Sequence, residues 1–247
     1  MKHELTLEEI HAELLEQLRD ITAICDRYGI EYNLMCGTLL GCVRHHGFIP
    51  WDDDVDLLMT RAEFSRFRMV YPKECDPRFE LTYLDTWTPR VMNRDPEKAA
   101  AFTDFFILDA LPPEGFRRKA HLLHLHLLQG MMKKNVDYSR FGLKNRILLR
   151  ATHLMGLPFS YAWKAKRYEK VSTKYREGND LHMSNGAFEL MTHVWHPDQF
   201  EEKIRGQFED LECLIPKKYD EVLTVLFGPD YMTPPPVEER VAKHLDL

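Results

Sequence analysis

Two carboxylates stand two residues apart in the run Trp51-Asp52-Asp53-Asp54-Val55-Asp56-Leu57-Leu58-Met59. If this run is a strand, Asp54 and Asp56 point to the same face, because side chains alternate across a strand with a period of two. Carboxylates held that close repel unless a divalent cation neutralises them. Mg2+, or Mn2+ in its place, suits such a pair, since it takes hard oxygen ligands completed by phosphate and water. A cation so held offsets charge on a transferring phosphoryl group and lowers the pKa of an attacking hydroxyl. An acidic run by itself reads more simply as a solvated loop. Here apolar Leu57-Leu58-Met59 follow at once, which puts the acids at the mouth of a core strand.

The neighbouring residues suit the same chemistry. Upstream lies Gly37-Thr38-Leu39-Leu40-Gly41, read as a tight turn leading into a short helix, where Gly37 and Thr38 offer backbone amides and a hydroxyl to a phosphate. Arg44, His45 and His46 stand between the turn and the acids as phosphate partners. A third carboxylate commonly completes a metal site or deprotonates the acceptor. Asp104 and Asp109 flank the strand candidate Phe105–Leu108, and spacing alone does not choose between them. Trp51 either packs under the acidic loop or faces a cationic ligand group through cation–π attraction, with Tyr32, Tyr83 and Trp87 as weaker cage candidates. Cys36, Cys42, His45 and His46 match no standard zinc spacing. His121, His124 and His126 read as surface or interface histidines.

The elements that must position these groups are legible in outline. Thr6 and Glu9 form a T-x-x-E capping box. It opens a helix with the apolar stripe Ile10, Leu14, Leu18, Ile21, Cys25 and Tyr28, which Gly29 stops. A short strand spans Glu31–Met35, a second spans Asp54–Met59, and Thr60 with Glu63 opens another helix directly after it. Phe79–Tyr83 and Thr103–Leu108 are further strands, the latter closing on Asp109 and a Leu-Pro-Pro turn. Helices are predicted over about 117–134, 145–155 and 160–176. Phe208–Ile215 suggests a strand pair, Pro216 opens a helix that Gly228 stops after Phe227, and Tyr231–Pro236 is rigid and extended.

Charge divides the chain. The 247 residues carry a net charge of −6, which offers no general attraction to nucleic acid and argues against a polynucleotide partner. Yet 117–176 holds fifteen Lys or Arg against two acids, leaving the remainder strongly acidic. The expected organisation is therefore a core with the metal site over 1–112, a basic helical subdomain over 113–178, and a segment over 179–247 that completes the core. The basic helices either pair with the acidic remainder or meet an anionic membrane surface, through Leu122-Leu123 with Leu127-Leu128 and Ile147-Leu148-Leu149 with Leu154-Met155. No apolar run approaches the roughly 18 residues of a membrane span. The N-terminus lacks the apolar stretch of a signal peptide, and five cysteines without a C-x-x-C pair read as reduced thiols. The expected location is the cytoplasm, with peripheral contact at the inner face of the cell membrane if the basic helices meet an anionic surface.

The twenty residues Gly37-Thr38-Leu39-Leu40-Gly41-Cys42-Val43-Arg44-His45-His46-Gly47-Phe48-Ile49-Pro50-Trp51-Asp52-Asp53-Asp54-Val55-Asp56 resemble the signature of the LicD family. That family comprises phosphocholine and related phosphotransferases and is similar to fukutin and fukutin-related protein. The likeness extends to Asp104–Pro112 and to Phe208–Pro236. It implies an α/β, nucleotidyltransferase-like mixed-sheet core, here with a basic helical insertion. It also implies metal at Asp54 and Asp56, with Asp104 matching the family's third acid better than Asp109. The implied reaction moves a phospho-alcohol, phosphocholine first, from a CDP-linked donor such as CDP-choline to a sugar hydroxyl of a cell-surface glycan (lipopolysaccharide or teichoic acid), free or lipid-linked, and releases CMP. A nucleotidyltransferase that attacks the α-phosphate and releases pyrophosphate would use the same carboxylates. A silent binding module would not need Asp54, Asp56, Asp104, Gly37 and Arg44 together.

Overall fold

The structure is a computed structural model that describes residues 5–82, 87–133, 142–176, 178–187 and 189–242. Of the residues singled out above, Tyr83 and, within the basic window, Lys134, Asp137 and Arg140 lie outside the described residues. Helix α1 (Leu7–Tyr28) starts where its capping box puts it. The Thr6 hydroxyl accepts the Glu9 amide, the Glu9 carboxylate accepts the Thr6 amide, and Gly29 ends the helix at φ 58°. Ile10, Leu14, Leu18, Ile21 and Cys25 of its stripe are fully buried, while Tyr28 is left exposed at the end.

The chain divides into two compact units: residues 1–82, 89–108 and 195–247, and residues 83–88 and 109–194. After α1, the first unit continues through β1 (Asn33–Leu34), α2 (Cys36–His45), β2 (Val55–Thr60), α3 (Arg61–Glu74), β3 (Phe79–Thr82) and β4 (Arg90–Asn93), and it holds most of β5 (Phe102–Leu111). The strand order is β1-β2-β5-β4-β3. β2 and β5 run parallel and the other neighbours antiparallel, which makes the sheet mixed. Val55, Leu57, Leu58 and Met59 are buried, as expected of a strand covered on both faces. Thr60 caps α3 by accepting the Glu63 amide, but the Glu63 carboxylate accepts the Glu31 amide instead of closing the box.

The second unit is mostly helical. β5 enters it with residues 109–111, α4 (Phe116–Met132), α5 (Leu143–Gly156) and α6 (Tyr161–Ser172) follow, and β6 (Asp180–Met183) pairs with β5. Leu125, Leu128 and Met132 of α4 pack with Tyr168, Val171 and Met191. The unit is wider than the 113–178 read from charge, because buried polar links tie the later segment to the helices. Gln129 donates to the Gly186 carbonyl at 2.7 Å, and the Tyr168 hydroxyl donates to the Ser184 carbonyl at 2.6 Å. His121 corrects the surface reading: it lies in α4 on the side of Leu125 and Leu128 and is only 5% exposed. Trp87, a cage candidate, donates its indole N–H to the Asn185 carbonyl and packs against this core.

The chain then returns to the first unit through α7 (Asp198–Glu201), the hairpin β7 (Lys203–Phe208) with β8 (Leu211–Pro216), and α8 (Tyr219–Phe227). Pro216 ends a strand and does not open the helix, which begins three residues later. Tyr32 is also no cage residue. It is 1% exposed, and its hydroxyl accepts the Leu214 amide. All five cysteines are free thiols, and no helix among the described residues is long and apolar enough to cross a membrane.

Candidate metal and phosphate site

Asp56 is the second residue of β2 and Asp104 the third of β5, and in the parallel register the two are direct partners. Their side chains therefore leave the sheet on the same face. Asp54 immediately precedes β2, and the Asp52, Asp53 and Asp54 carboxylates each bring an oxygen within 4.8 Å of the others. Burial lifts the Asp56 carboxyl well above the usual carboxylate range. The charges of Asp54, Asp104 and Asp52 lift it further, and a hydrogen bond from the Cys36 thiol opposes them. Charges of one sign thus converge on a side chain that is 8% exposed. Such an all-oxygen set suits a hard divalent cation better than zinc, whose sites usually include nitrogen or sulfur. Cys36 and Cys42 do not join His45 and His46: the Cys36 thiol bonds Asp56, and the Cys42 thiol donates to the Gln207 carbonyl.

Helix α2 holds the acids in place. The Met35 amide donates to the Asp56 carbonyl at 2.9 Å, and the Thr38 hydroxyl oxygen accepts the Asp56 amide at 2.8 Å. Thr38 is buried, and its hydroxyl oxygen serves here to fix the backbone of Asp56. The segment Gly37–Gly41 is no tight turn. It lies inside α2, which begins at Cys36 with the left-handed φ of 47° that ordinary residues seldom adopt. Gly37 leaves room for the Asp52 carboxylate, which a Cβ at this position would displace. No side chain caps this helix start, which leaves its first turn suited to an anion.

Around this centre stand the cations and aromatics. Arg44 donates from Nη1 to the Tyr231 carbonyl at 2.8 Å and from Nε to His45 Nδ1 at 3.4 Å. Burial and the nearby Arg240 lower its pKa, and burial with Arg44 lowers that of His45. His46 ends α2 at φ 58°, and its carbonyl accepts the Glu209 amide. Trp51 meets the His45 ring edge-on, and the Arg240 guanidinium sits 5.0 Å from its ring centroid.

Asp109 is placed elsewhere. It lies five residues beyond Asp104 on the same strand, an odd step that turns its side chain to the opposite face. There it is buried and accepts the Ser184 hydroxyl at 2.5 Å. Sequence reasoning missed three residues of the site. Arg90 grips Asp104 with two bonds of 3.0 and 3.1 Å and lies over the Phe102 ring. His11 donates to the Asp52 carbonyl at 2.6 Å and stacks on Phe48. Cys36 contributes the thiol described above. No motif marks any of them, although Arg90 follows Pro89 on a short strand whose apolar alternation is weak.

Residues 29–95 match the family described as LicD/FKTN/FKRP, nucleotidyltransferase domain. Over 98% of its length the chain is 27% identical to the lipopolysaccharide cholinephosphotransferase LicD of Haemophilus influenzae, and the match covers 97% of that protein. Sixty residues, 24% of the chain, are 35% identical to an uncharacterised protein of Rickettsia typhi, of which they cover 19%. An uncharacterised protein of Rickettsia prowazekii is 33% identical over a stretch of the same length.

Proposed function

We propose, on the match of residues 29–95 to the LicD/FKTN/FKRP nucleotidyltransferase domain and the full-length likeness to the Haemophilus protein, that the chain is a metal-dependent phosphotransferase. It moves a phospho-alcohol, phosphocholine before others, from a CDP-linked donor to a sugar hydroxyl of a cell-surface glycan and releases CMP. The observation that carries this reading is geometric: the parallel register sets the buried Asp56 beside Asp104, and the Asp52, Asp53 and Asp54 carboxylates cluster just before β2. The name of the Haemophilus relative supports phosphocholine as the group and lipopolysaccharide as the acceptor class.

In this reading Asp54, Asp56 and Asp104 hold Mg2+ or Mn2+, which when bound offsets the charge that builds up on the transferring phosphoryl group. Thr38 and Met35 fix the backbone of Asp56 at the mouth of β2, which holds the position from which its carboxylate serves as a ligand. Asp104 is ligand or base toward the acceptor hydroxyl, and Arg90 orients it through the two-pronged ion pair. Gly37, at the uncapped start of α2, Arg44 and His45 are assigned to the donor's phosphates. Trp51 is assigned to the donor's quaternary ammonium, a role supported by the Arg240 guanidinium 5.0 Å from its ring centroid.

The helical unit is assigned to the anionic inner face of the membrane. Ile147, Leu148, Leu154 and Met155 of α5 are more than half exposed, in a segment rich in Lys and Arg. Each basic side chain near such a surface contributes about 1 kcal/mol of attraction. Flotation with anionic vesicles at low salt should carry the protein upward, and equal recovery with neutral vesicles would remove this assignment.

The reaction is tested by incubating the protein with Mg2+, a glycan acceptor and a panel of CDP-alcohols. CMP should appear with CDP-choline. Pyrophosphate released from CTP in its place would make the chain a nucleotidyltransferase, and neither product, with no metal bound, would make it a binding module.

A further inference from the structure

A cavity of about 430 Å³ opens within the helical unit, between the start of α4 and the end of α6. Arg117, Arg167, Lys170 and Lys174 line it, and none of its ten lining residues is acidic. Among the described residues none of these four cations has a carboxylate partner. Elsewhere in the chain exposed cations commonly do, as Arg19 does with Asp210 and Arg205 with Asp26. Four unpaired cations around one hollow raise its potential well above that of a solvated helix face.

Two further features point the same way. His121 lines the cavity, is 5% exposed, and its Nε2 has no hydrogen-bond partner among the described residues. Buried polar atoms are nearly always satisfied, so an orphan in a cavity wall calls for a missing partner. Burial holds this imidazole down to a pKa of about 4, so it is neutral near pH 7, and in the Nε2–H tautomer it offers one hydrogen bond to an oxygen. In addition, α4 starts at Gly115 without a capping side chain, and its first residues, Phe116 and Arg117, line the cavity. A helix start of this kind presents unpaired amides and the positive end of its dipole. The apolar part of the lining, Phe116 and Val171 among it, suits the uncharged body that carries the anion.

We propose that this cavity is a binding site for a terminal phosphate group carried on an uncharged body, either a sugar phosphate or a lipid phosphomonoester. A dianion matches the four cations better than a single carboxylate, and arginine forks bind phosphate oxygens in pairs. The site goes beyond the transferase reading, whose metal and donor groups are other residues and whose membrane assignment needs no specific pocket.

Isothermal titration of the full chain with inorganic phosphate tests it without donor, acceptor or turnover, so its outcome is separate from that of the transfer assay. The variants are Arg167→Gln with Lys170→Gln, and Lys166→Gln as a control outside the cavity. All three side chains are exposed, and a thermal melt verifies that the variants fold. The parent and the control should bind phosphate saturably, and the double variant at least about tenfold more weakly. No saturable binding by the parent, or equal binding by all three, would overturn the proposal. Competition then identifies the source. Displacement of phosphate by glucose 1-phosphate supports a sugar phosphate, and displacement by phosphatidylcholine vesicles containing phosphatidic acid supports a lipid. If neither displaces it, the cavity holds an adventitious ion only and the proposal fails.

Discussion

In the sheet-bearing unit the charges drawn inward are carboxylates: Asp53 and Asp56 are 1% and 8% exposed, with Asp52, Asp54 and Asp104 around them. In the helical unit the described acids are few, no described Lys or Arg is buried, and the groups drawn inward are two imidazoles and one carboxylate, Asp109, which accepts the Ser184 hydroxyl. His121 and His182 stand with ring centroids 5.6 Å apart, each held near a pKa of about 4 by burial. Both arrangements oppose folding, but they imply different uses. Buried carboxylates that repel one another are tolerable when a cation joins them, and that is the signature of a site for chemistry. Buried neutral imidazoles beside unpaired surface cations need only an anion, and that is the signature of a site for binding.

The comparison breaks first at the acids. Asp54→Asn or Asp56→Asn should lower turnover by several orders of magnitude at saturating Mg2+, because charge neutralisation on the phosphoryl group is lost. The melting temperature should stay the same or rise, since one repelling charge is gone. Near-normal turnover in either variant would remove it from the ligand set.

Next comes the pair of acids on β5. Asp104→Ala should abolish the chemical step while largely sparing donor KM, as expected of a group acting in the transition state. Asp109→Ala should leave kcat nearly intact. It should cost about 1–3 kcal/mol of stability, because the buried Ser184 hydroxyl loses its acceptor. Kinetics and urea melts together decide, and the reverse pattern would exchange the two roles.

The smallest effect sharpens the contrast in pH. Above the ordinary histidine pKa of about 6.5, His121 and His182 are neutral in folded and unfolded chains alike. As pH falls from about 6.5 toward the folded value of about 4, the unfolded chain binds the protons first, so folding is penalised. The loss is at most about 3 kcal/mol per histidine and is complete below pH 4. Urea melts followed at the helical unit should therefore show falling stability between pH 7 and 4, a dependence that His182→Gln reduces. A profile that stays flat in this window would mean that the two rings are not held neutral in the fold.

Much of this was legible because local rules decide it. The capping box at Thr6, the stop at Gly29 and the alternation from Asp54 are properties of short stretches, and all three stand in the structure at those residues or within one of them. What was missed depends on contacts distant in sequence. Thr38 offers the same hydroxyl to a phosphate or to an amide, and only the meeting of α2 with β2 gives it to Asp56. Gly37 reads as a turn glycine until the Asp52 carboxylate is seen in the space a Cβ would need. Arg90 sits on a short strand with little periodicity, so its grip on Asp104 follows from the β4–β5 register alone. His121 has the composition of a surface residue, and its burial follows from the packing of α4 against α6.

The central claim is that the acids at the mouth of β2 hold a divalent cation for phosphoryl transfer. Electron paramagnetic resonance of Mn2+ titrated into the parent chain and into Asp56→Asn, each with CDP-choline present, tests it most directly. The parent should take up Mn2+ stoichiometrically, Mg2+ should compete, and the variant should bind at least about tenfold more weakly, since a charged oxygen ligand is lost. Equal Mn2+ binding by the two chains, or none by the parent, would contradict it.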